Sequence, residues 1–200
     1  DKVLNSGRLI LGQQVKSFET EFSKSVGCKF GVGVNSGTDA IFLSLKALGV
    51  GKGDEVITVS NTAVPTVAAI QATGAKTVFV DINEKNFLMD TKIVESKIGQ
   101  KTKAIVPVHL YGQCVDMEAL KNLAKAYDIK VIEDCAQSHG AVFGKRVAGS
   151  MSDLSAFSFY PTKILGGFGD GGMICTNSKK IYEKCKRLRF YGMDEQYYAL

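Results

Sequence analysis

Apolar and polar positions follow two rhythms along this chain from about residue 28 onward. Short apolar runs at residues 30–34, 55–59, 76–80, 103–108 and 130–134 read as strands. Between them, residues 40–48, 62–73 and 115–127 repeat with a helical period, and residues 91–97 do so weakly. Gly49, Gly51 and Gly53 end the first helical run, and Gly74 stops the second. This β-α-β-α order predicts a mostly parallel sheet with helices on both faces, a three-layer α/β fold. The strands are nearly continuous apolar runs, as burial on both faces requires. After Gly140 the rhythm changes. Residues 154–159 and 173–176 read as strands joined by a glycine-rich loop with no room for a helix, and residues 179–189 as a basic helix. No internal repeat, low-complexity tract or linker interrupts the pattern.

Composition narrows the classes. The 200 residues are 45% hydrophobic and 22% charged, ordinary for a globular chain. The 25 basic and 20 acidic residues leave a net charge of +5. Those charges are scattered, which argues against a nucleic-acid partner. The uncharged stretch of residues 56–75 is long enough to cross a bilayer. Its four threonines, with Ser60, Asn61, Pro65 and Gln71, break it instead into a strand, a turn and a helix, so no membrane partner is expected. The opening residues lack the charged-then-apolar pattern of a signal peptide. Cys28, Cys114, Cys135, Cys175 and Cys185 are odd in number and contain no CxxC pair, which suits free thiols in a reducing cytoplasm.

Four segments carry candidate chemistry at strand ends, where open α/β sheets gather ligands. Asn35-Ser36-Gly37-Thr38-Asp39 lies between a strand and a helix; it is either an anion site or an ordinary helix cap. In the segment Glu133 to His139, two acids end a buried strand. Such a pair needs a cationic partner, a salt bridge or a capping role. His139 and Cys135 stand at metal-ligand spacing, but no third or fourth ligand is evident, so no metal is expected. Lys163 follows an apolar strand among aromatics and glycines; its neutral amine can attack a carbonyl to form a Schiff base, or it is a surface lysine. Gly167, Gly169 and Gly172 match GxGxxG, yet a strand rather than a helix is expected next, which rejects a dinucleotide site.

Taken in order, SGTDA, GKGDEVITVSNTAVPTVAAI, PVHLYGQ, VIEDCAQSHGA and SFYPTKILGGFGDGG resemble the DegT/StrS-type sugar aminotransferases. The resemblance runs from about Gly7 to Tyr191. It implies the large domain of a pyridoxal-phosphate-dependent transferase of fold type I. It also implies a homodimer with active sites at the subunit boundary. Carried over by position, Lys163 matches the lysine that bonds the cofactor and then shuttles a proton. Asp134 matches the carboxylate that keeps the cofactor's ring nitrogen protonated, and Gln137 the residue beside its ring hydroxyl. Gly37, Thr38 and Ser158 match the phosphate-binding groups. His139 lies near the same pocket without an assigned role. Lysine rather than histidine at position 163 implies transamination rather than dehydration.

The implied reaction moves an amino group, with glutamate as the donor, to a keto sugar linked to a nucleotide. The stretch TAVPTVAAI looks closest to enzymes of dTDP-linked 3-keto-6-deoxyhexoses. Many family members carry an aromatic residue two positions after the one matching Asn61; this chain has Ala63. The whole chain, residues 1–200, is expected to be a truncated large domain without the family's smaller carboxy-terminal domain. A non-catalytic or regulatory relative that keeps the fold is the alternative.

Overall fold

The computed structural model describes residues 1–193 and the backbone of residues 194–195 and 198–199. Its core is a seven-stranded sheet. In chain order the strands are β1 (Phe30–Val34), β2 (Glu55–Val59), β3 (Lys76–Val80), β4 (Thr102–Ile105), β5 (Lys130–Asp134), β8 (Leu154–Ser158) and β9 (Gly172–Thr176). A small hairpin, β6 (Val142–Phe143) with β7 (Arg146–Val147), lies outside the sheet. Across the sheet the order is β1-β9-β8-β5-β4-β2-β3. Only β9 runs against its neighbours, pairing antiparallel with both β1 and β8. The carboxyl ends of the other six strands and the amino end of β9 therefore share one edge.

The helices are α1 (Lys2–Ser6), α2 (Gln13–Val26), α3 (Gly37–Ala47), α4 (Val64–Ala72), α5 (Met117–Ala126) and α6 (Lys179–Arg189). Strand alternation divides the core between them. Val56, Ala104, Ile132, Leu154 and Ala156 pack with Ala40, Ile41 and Leu45 of α3, Ala69 and Ile70 of α4 and Cys185 of α6. Ile57, Ile105 and Val131 point the other way, toward Met117, Leu120 and Ala124 of α5. Phe157, Met173 and Cys175 meet Phe22 and Val26 of α2 on that second face. Helices thus cover both faces, as the rhythm of the sequence predicts.

Two segments depart from expectation. Residues 91–97 form no α-helix; they hold turns and one 3-10 turn, Glu95–Lys97. The Asp90 side chain accepts from the Lys92 amide at 3.1 Å, a local bond that competes with a helical turn. Helix α2 precedes the first recognised rhythm and went unread. Only Phe22, Ser23 and Val26 of its fourteen residues are buried, so its apolar stripe is thin.

Leu45 is fully buried at the centre of the first cluster. Leu45→Ala is expected to cost about 2–5 kcal/mol through lost transfer energy and the cavity left behind, measured by urea unfolding.

Candidate functional site

The shared edge gathers four strand ends. At the end of β1 the chain turns into α3, and the Ser36 hydroxyl caps it by accepting from the Asp39 amide at 3.0 Å. Gly37 and Thr38 occupy the first turn, where backbone N–H groups have no intrahelical acceptor. Ser158 arrives from β8, directly beside them. A Cβ on Gly37 would stand 2.7 Å from the Ser158 Cβ, and one on Gly172 would stand 2.2 Å from the Ser36 carbonyl oxygen. Only glycine lets β1, β8 and β9 close this tightly. The product is a helix amino end with a serine hydroxyl at its mouth, a geometry that receives anions.

The end of β5 lies in the middle of the sheet. Glu133 and Asp134 are buried there, 0% and 3% exposed, and strand alternation sends them to opposite faces. Asp134 faces α4. Its Oδ2 accepts from the Thr66 hydroxyl at 2.8 Å and its Oδ1 from the Ala136 amide at 3.1 Å. Since Thr66 spends its one proton on Asp134, the 2.7 Å contact between Thr62 and Thr66 has Thr62 donating. Burial pushes the Asp134 carboxyl above its ordinary value. The bonds from Ala136 and Thr66 and the nearby Lys163 charge offset that only in part.

Glu133 turns the other way and is fully satisfied. It accepts from His109 Nε2 at 3.0 Å, from the Gly149 and Met151 amides at 2.8 Å each, and at 2.9 Å from the Ser152 hydroxyl, whose one proton is shared with the Leu154 carbonyl at 2.7 Å. His109 Nδ1 accepts from the Val115 amide at 3.1 Å, so the ring proton sits on Nε2 and points at Glu133. Burial alone would raise the Glu133 carboxyl; hydrogen bonds from His109, Gly149 and Ser152 hold it below its ordinary value. His109, Glu133 and Cys135 lie close enough together to suggest a metal cluster. A metal there would have to displace the Val115 amide from the His109 lone pair and the donors on Glu133.

Lys163 lies five residues beyond β8, half-buried, its amide donating to the Tyr160 carbonyl at 2.8 Å. Its charge reaches Asp134 and His139, lowering both carboxyl and imidazole values. Gln137 is half-buried in the turn after Asp134, and its carbonyl accepts from the Gly112 amide at 3.0 Å. His139 packs among Phe22, Phe157 and Phe159. Its two ring nitrogens are buried and have no hydrogen-bond partner of normal geometry. Burial, then the Lys163 charge, lowers its pKa. The loop of residues 159–171 leads into β9, not into a helix, so the GxGxxG match opens no dinucleotide site.

Gly37, Thr38 and Ser158 thus meet at one end of the edge, and Asp134 lies within electrostatic reach of Lys163. Thr62, Thr66 and His109 carry no assigned chemistry in the sequence, and Gly172 figures there only in the rejected GxGxxG match. Thr66 lies in the first turn of α4, after the strand-to-helix turn that leaves β2, the kind of place that drew attention to Ser36–Asp39, and His109 follows β4 near where Asp134 ends β5. Position at a strand end was the available signal.

The model of the DegT/DnrJ/EryC1/StrS aminotransferase family matches residues 1–199. The chain belongs to this family. One curated relative, dTDP-3-amino-3,4,6-trideoxy-alpha-D-glucose transaminase of Micromonospora megalomicea subsp. nigra, is 57% identical over 99% of this chain and 53% of its own length. A pleiotropic regulatory protein of Geobacillus stearothermophilus is 46% identical over the same shares. Among solved structures, DesV of S. venezuelae in complex with a ketimine intermediate superposes with a TM-score of 0.96 at 45% identity. That match covers 98% of this chain and 53% of that one. The fold is that of the family's aminotransferases. The chain spans about half the length of the curated relatives it matches.

The two neighbouring carboxyls oppose each other in pH dependence. Asp134, raised in the fold, favours folding below its unfolded value and loses that contribution as pH climbs through the native one. Glu133, lowered in the fold, contributes above its unfolded value and loses it as pH falls through the native one. In cofactor-free protein, Asp134→Asn should gain stability over wild type as pH rises from acid, and Glu133→Gln should lose it. Urea unfolding at a series of pH values measures both; parallel curves for all three proteins would contradict the assignment.

Proposed function

We propose that this chain forms the cofactor-binding part of a pyridoxal-phosphate-dependent nucleotide-sugar aminotransferase. The observation that carries the reading is the pairing of an anion cradle at Gly37, Thr38 and Ser158 with a buried, under-satisfied carboxylate at Asp134. These residues fit the cofactor. Gly37 lets Ser158 come close against the amino end of α3, so a serine hydroxyl stands beside first-turn backbone N–H groups, which suits a phosphate. Asp134 accepts two hydrogen bonds where Glu133 accepts four, which suits a protonated ring nitrogen as its missing partner.

Pyridoxal phosphate, when bound, supplies an aldehyde that exchanges amino groups and a ring that accepts an electron pair. The chain's residues would do the rest. Gly37, Thr38 and Ser158 hold the phosphate. Asp134, steadied by Thr66 and Thr62, keeps a proton on the ring nitrogen. Gln137, in the turn after Asp134, would serve the cofactor's ring hydroxyl. Lys163 would hold the aldehyde through its amine, and that same amine would be the base for proton movement at the substrate carbon.

The amino acceptor in this reading is a keto sugar linked to a nucleotide, a dTDP-3-keto-6-deoxyhexose, and the donor is glutamate. The printed names of relatives from Micromonospora megalomicea and Streptomyces venezuelae support that sugar class. The working state is a cytoplasmic homodimer. Five free cysteines support the reducing compartment. No helix among the described residues is long and apolar enough to cross a membrane. Exposed Val64, Ile164 and Phe168 support a covering partner near the site. A regulatory role is the second reading, favoured by the printed name of the Geobacillus relative.

Purified protein loaded with pyridoxal phosphate should be yellow, lose the colour to borohydride, and stay unlabelled in Lys163→Ala, with turnover reduced by at least about a thousandfold. Mass spectrometry on a panel of nucleotide-linked keto sugars should detect an aminated product. A protein that takes up no cofactor would overturn the reading, and one that binds it without aminating any sugar would favour the regulatory one.

A further inference from the structure

We propose that the buried His109–Glu133 pair is a positioning device for Asp134, a hydrogen-bonded clasp behind the sheet that fixes the strand end from which Asp134 projects. The inference rests on the reading of Asp134 as the partner of the cofactor's ring nitrogen. It begins from the β4 side of that strand end, where the backbone ladder is thin, whereas β8 pairs regularly with β5 through Asp134 on the other side.

Strands β4 and β5 pair regularly at Ala104 with Lys130 and at Ile105 with Val131. The ladder then thins. Pro107 has no N–H to contribute, and pairing resumes only as an isolated bridge between Val108 and Asp134. Two bonds hold it, Asp134 N–H to the Pro107 carbonyl at 2.9 Å and His109 N–H to the Asp134 carbonyl at 3.0 Å. Side chains add restraint on this β4 side, beyond the β8 ladder that holds the opposite side. The His109 ring donates to Glu133 on β5 and accepts from Val115 just before α5, so one imidazole joins three segments. Through Gly149, Met151 and Ser152, Glu133 secures the loop that leads into β8. Residues 133 and 134 share one strand backbone. A clasp on one side chain therefore sets the direction of the other.

A pure stabilising role explains the pair less well. Buried charges with all donors in place commonly do no better than apolar groups of the same volume. What such a network does supply is a single geometry, because each lone pair and proton has one place to go. Burial, and after it the Glu133 charge, pushes the Cys28 and Cys114 thiols up to about 11.

The test uses the full-length protein and three variants. His109→Phe removes both ring bonds. His109→Gln keeps a donor for Glu133 and an acceptor for Val115. Ser152→Ala removes the hydroxyl shared between Glu133 and the Leu154 carbonyl and leaves the other three donors on Glu133. Pyridoxal phosphate affinity is measured by spectroscopic titration, alongside the pH dependence of the bound cofactor's absorbance and the thermal midpoint of the cofactor-free protein. His109→Phe should weaken cofactor binding by about ten- to a hundredfold and shift the absorbance profile, as a misplaced positioning group does. His109→Gln should restore most of both. A lowered thermal midpoint with wild-type affinity and wild-type absorbance would overturn the clasp as a positioning device. If His109→Phe does not fold, Ser152→Ala decides: a smaller shift in the same direction supports the inference, and wild-type affinity and absorbance overturn it. Wild-type protein that binds no pyridoxal phosphate would instead overturn the reading of the site on which the inference rests.

Discussion

Burying Glu133 and Asp134 side by side at the end of a central strand takes two carboxylates out of water, at a cost of several kcal/mol each unless other donors replace the lost hydration. Much of the polar architecture at this edge of the sheet answers that demand. On one face, the His109 ring, two backbone amides and a serine hydroxyl converge on Glu133 and leave it ionised. On the other, Thr66 and Ala136 supply Asp134 with only two donors. The difference between neighbours is functional in form: one acid is completed by its own chain, and the other has capacity left for a cationic ligand.

The second constraint is steric and lies two strands away. Strand β9 runs against the rest, which brings its amino end to the edge where β1 and β8 finish. Gly172 then lies against the Ser36 carbonyl, and Gly37 against Ser158. A parallel crossover between β8 and β9 would need a helix-length connection, whereas a reversed strand needs only a loop. That loop carries Lys163. The same topological choice closes the anion cradle and keeps the lysine at the edge where Asp134 ends.

Much of this was legible in the sequence because the strands are buried on both faces and bounded by glycines. Residues 30–34, 55–59, 76–80 and 130–134 match β1, β2, β3 and β5 end for end, since an apolar run of five leaves little freedom at its limits. Helix α2 escaped because its buried stripe amounts to three residues. Asp134, Lys163, Gly37, Thr38, Gln137 and Ser158 were recognisable as types of chemistry at strand ends. Which face each acid takes was less so. The adjacency of Glu133 and Asp134 states that they oppose each other, but only the packing of α4 and of the 149–152 loop says which acid meets which donors. His109 could not be found by composition or period; its partner is twenty-four residues away on the neighbouring strand.

The contrast between the two carboxyls also bears on whether such a chain is a catalyst or a regulator that keeps the fold. A protein that needs only the fold gains nothing from an acid at position 134. Burial raises its carboxyl, and an asparagine could accept from the Ala136 amide with its oxygen and donate to the Thr66 hydroxyl with its NH2, without the burden of a charge. An acid is worth that burden where its charge meets a cation, and the proposed cofactor would bring one in its protonated ring nitrogen. Lys163 follows the same logic from the opposite side. A lysine brought near a buried carboxyl, yet making no ion pair with it among the described residues, has its amine available for a carbonyl carbon. Binding alone requires the anion cradle; the acid and the amine add what is needed to move a proton and an amino group. Their joint presence at one edge favours catalysis over regulation.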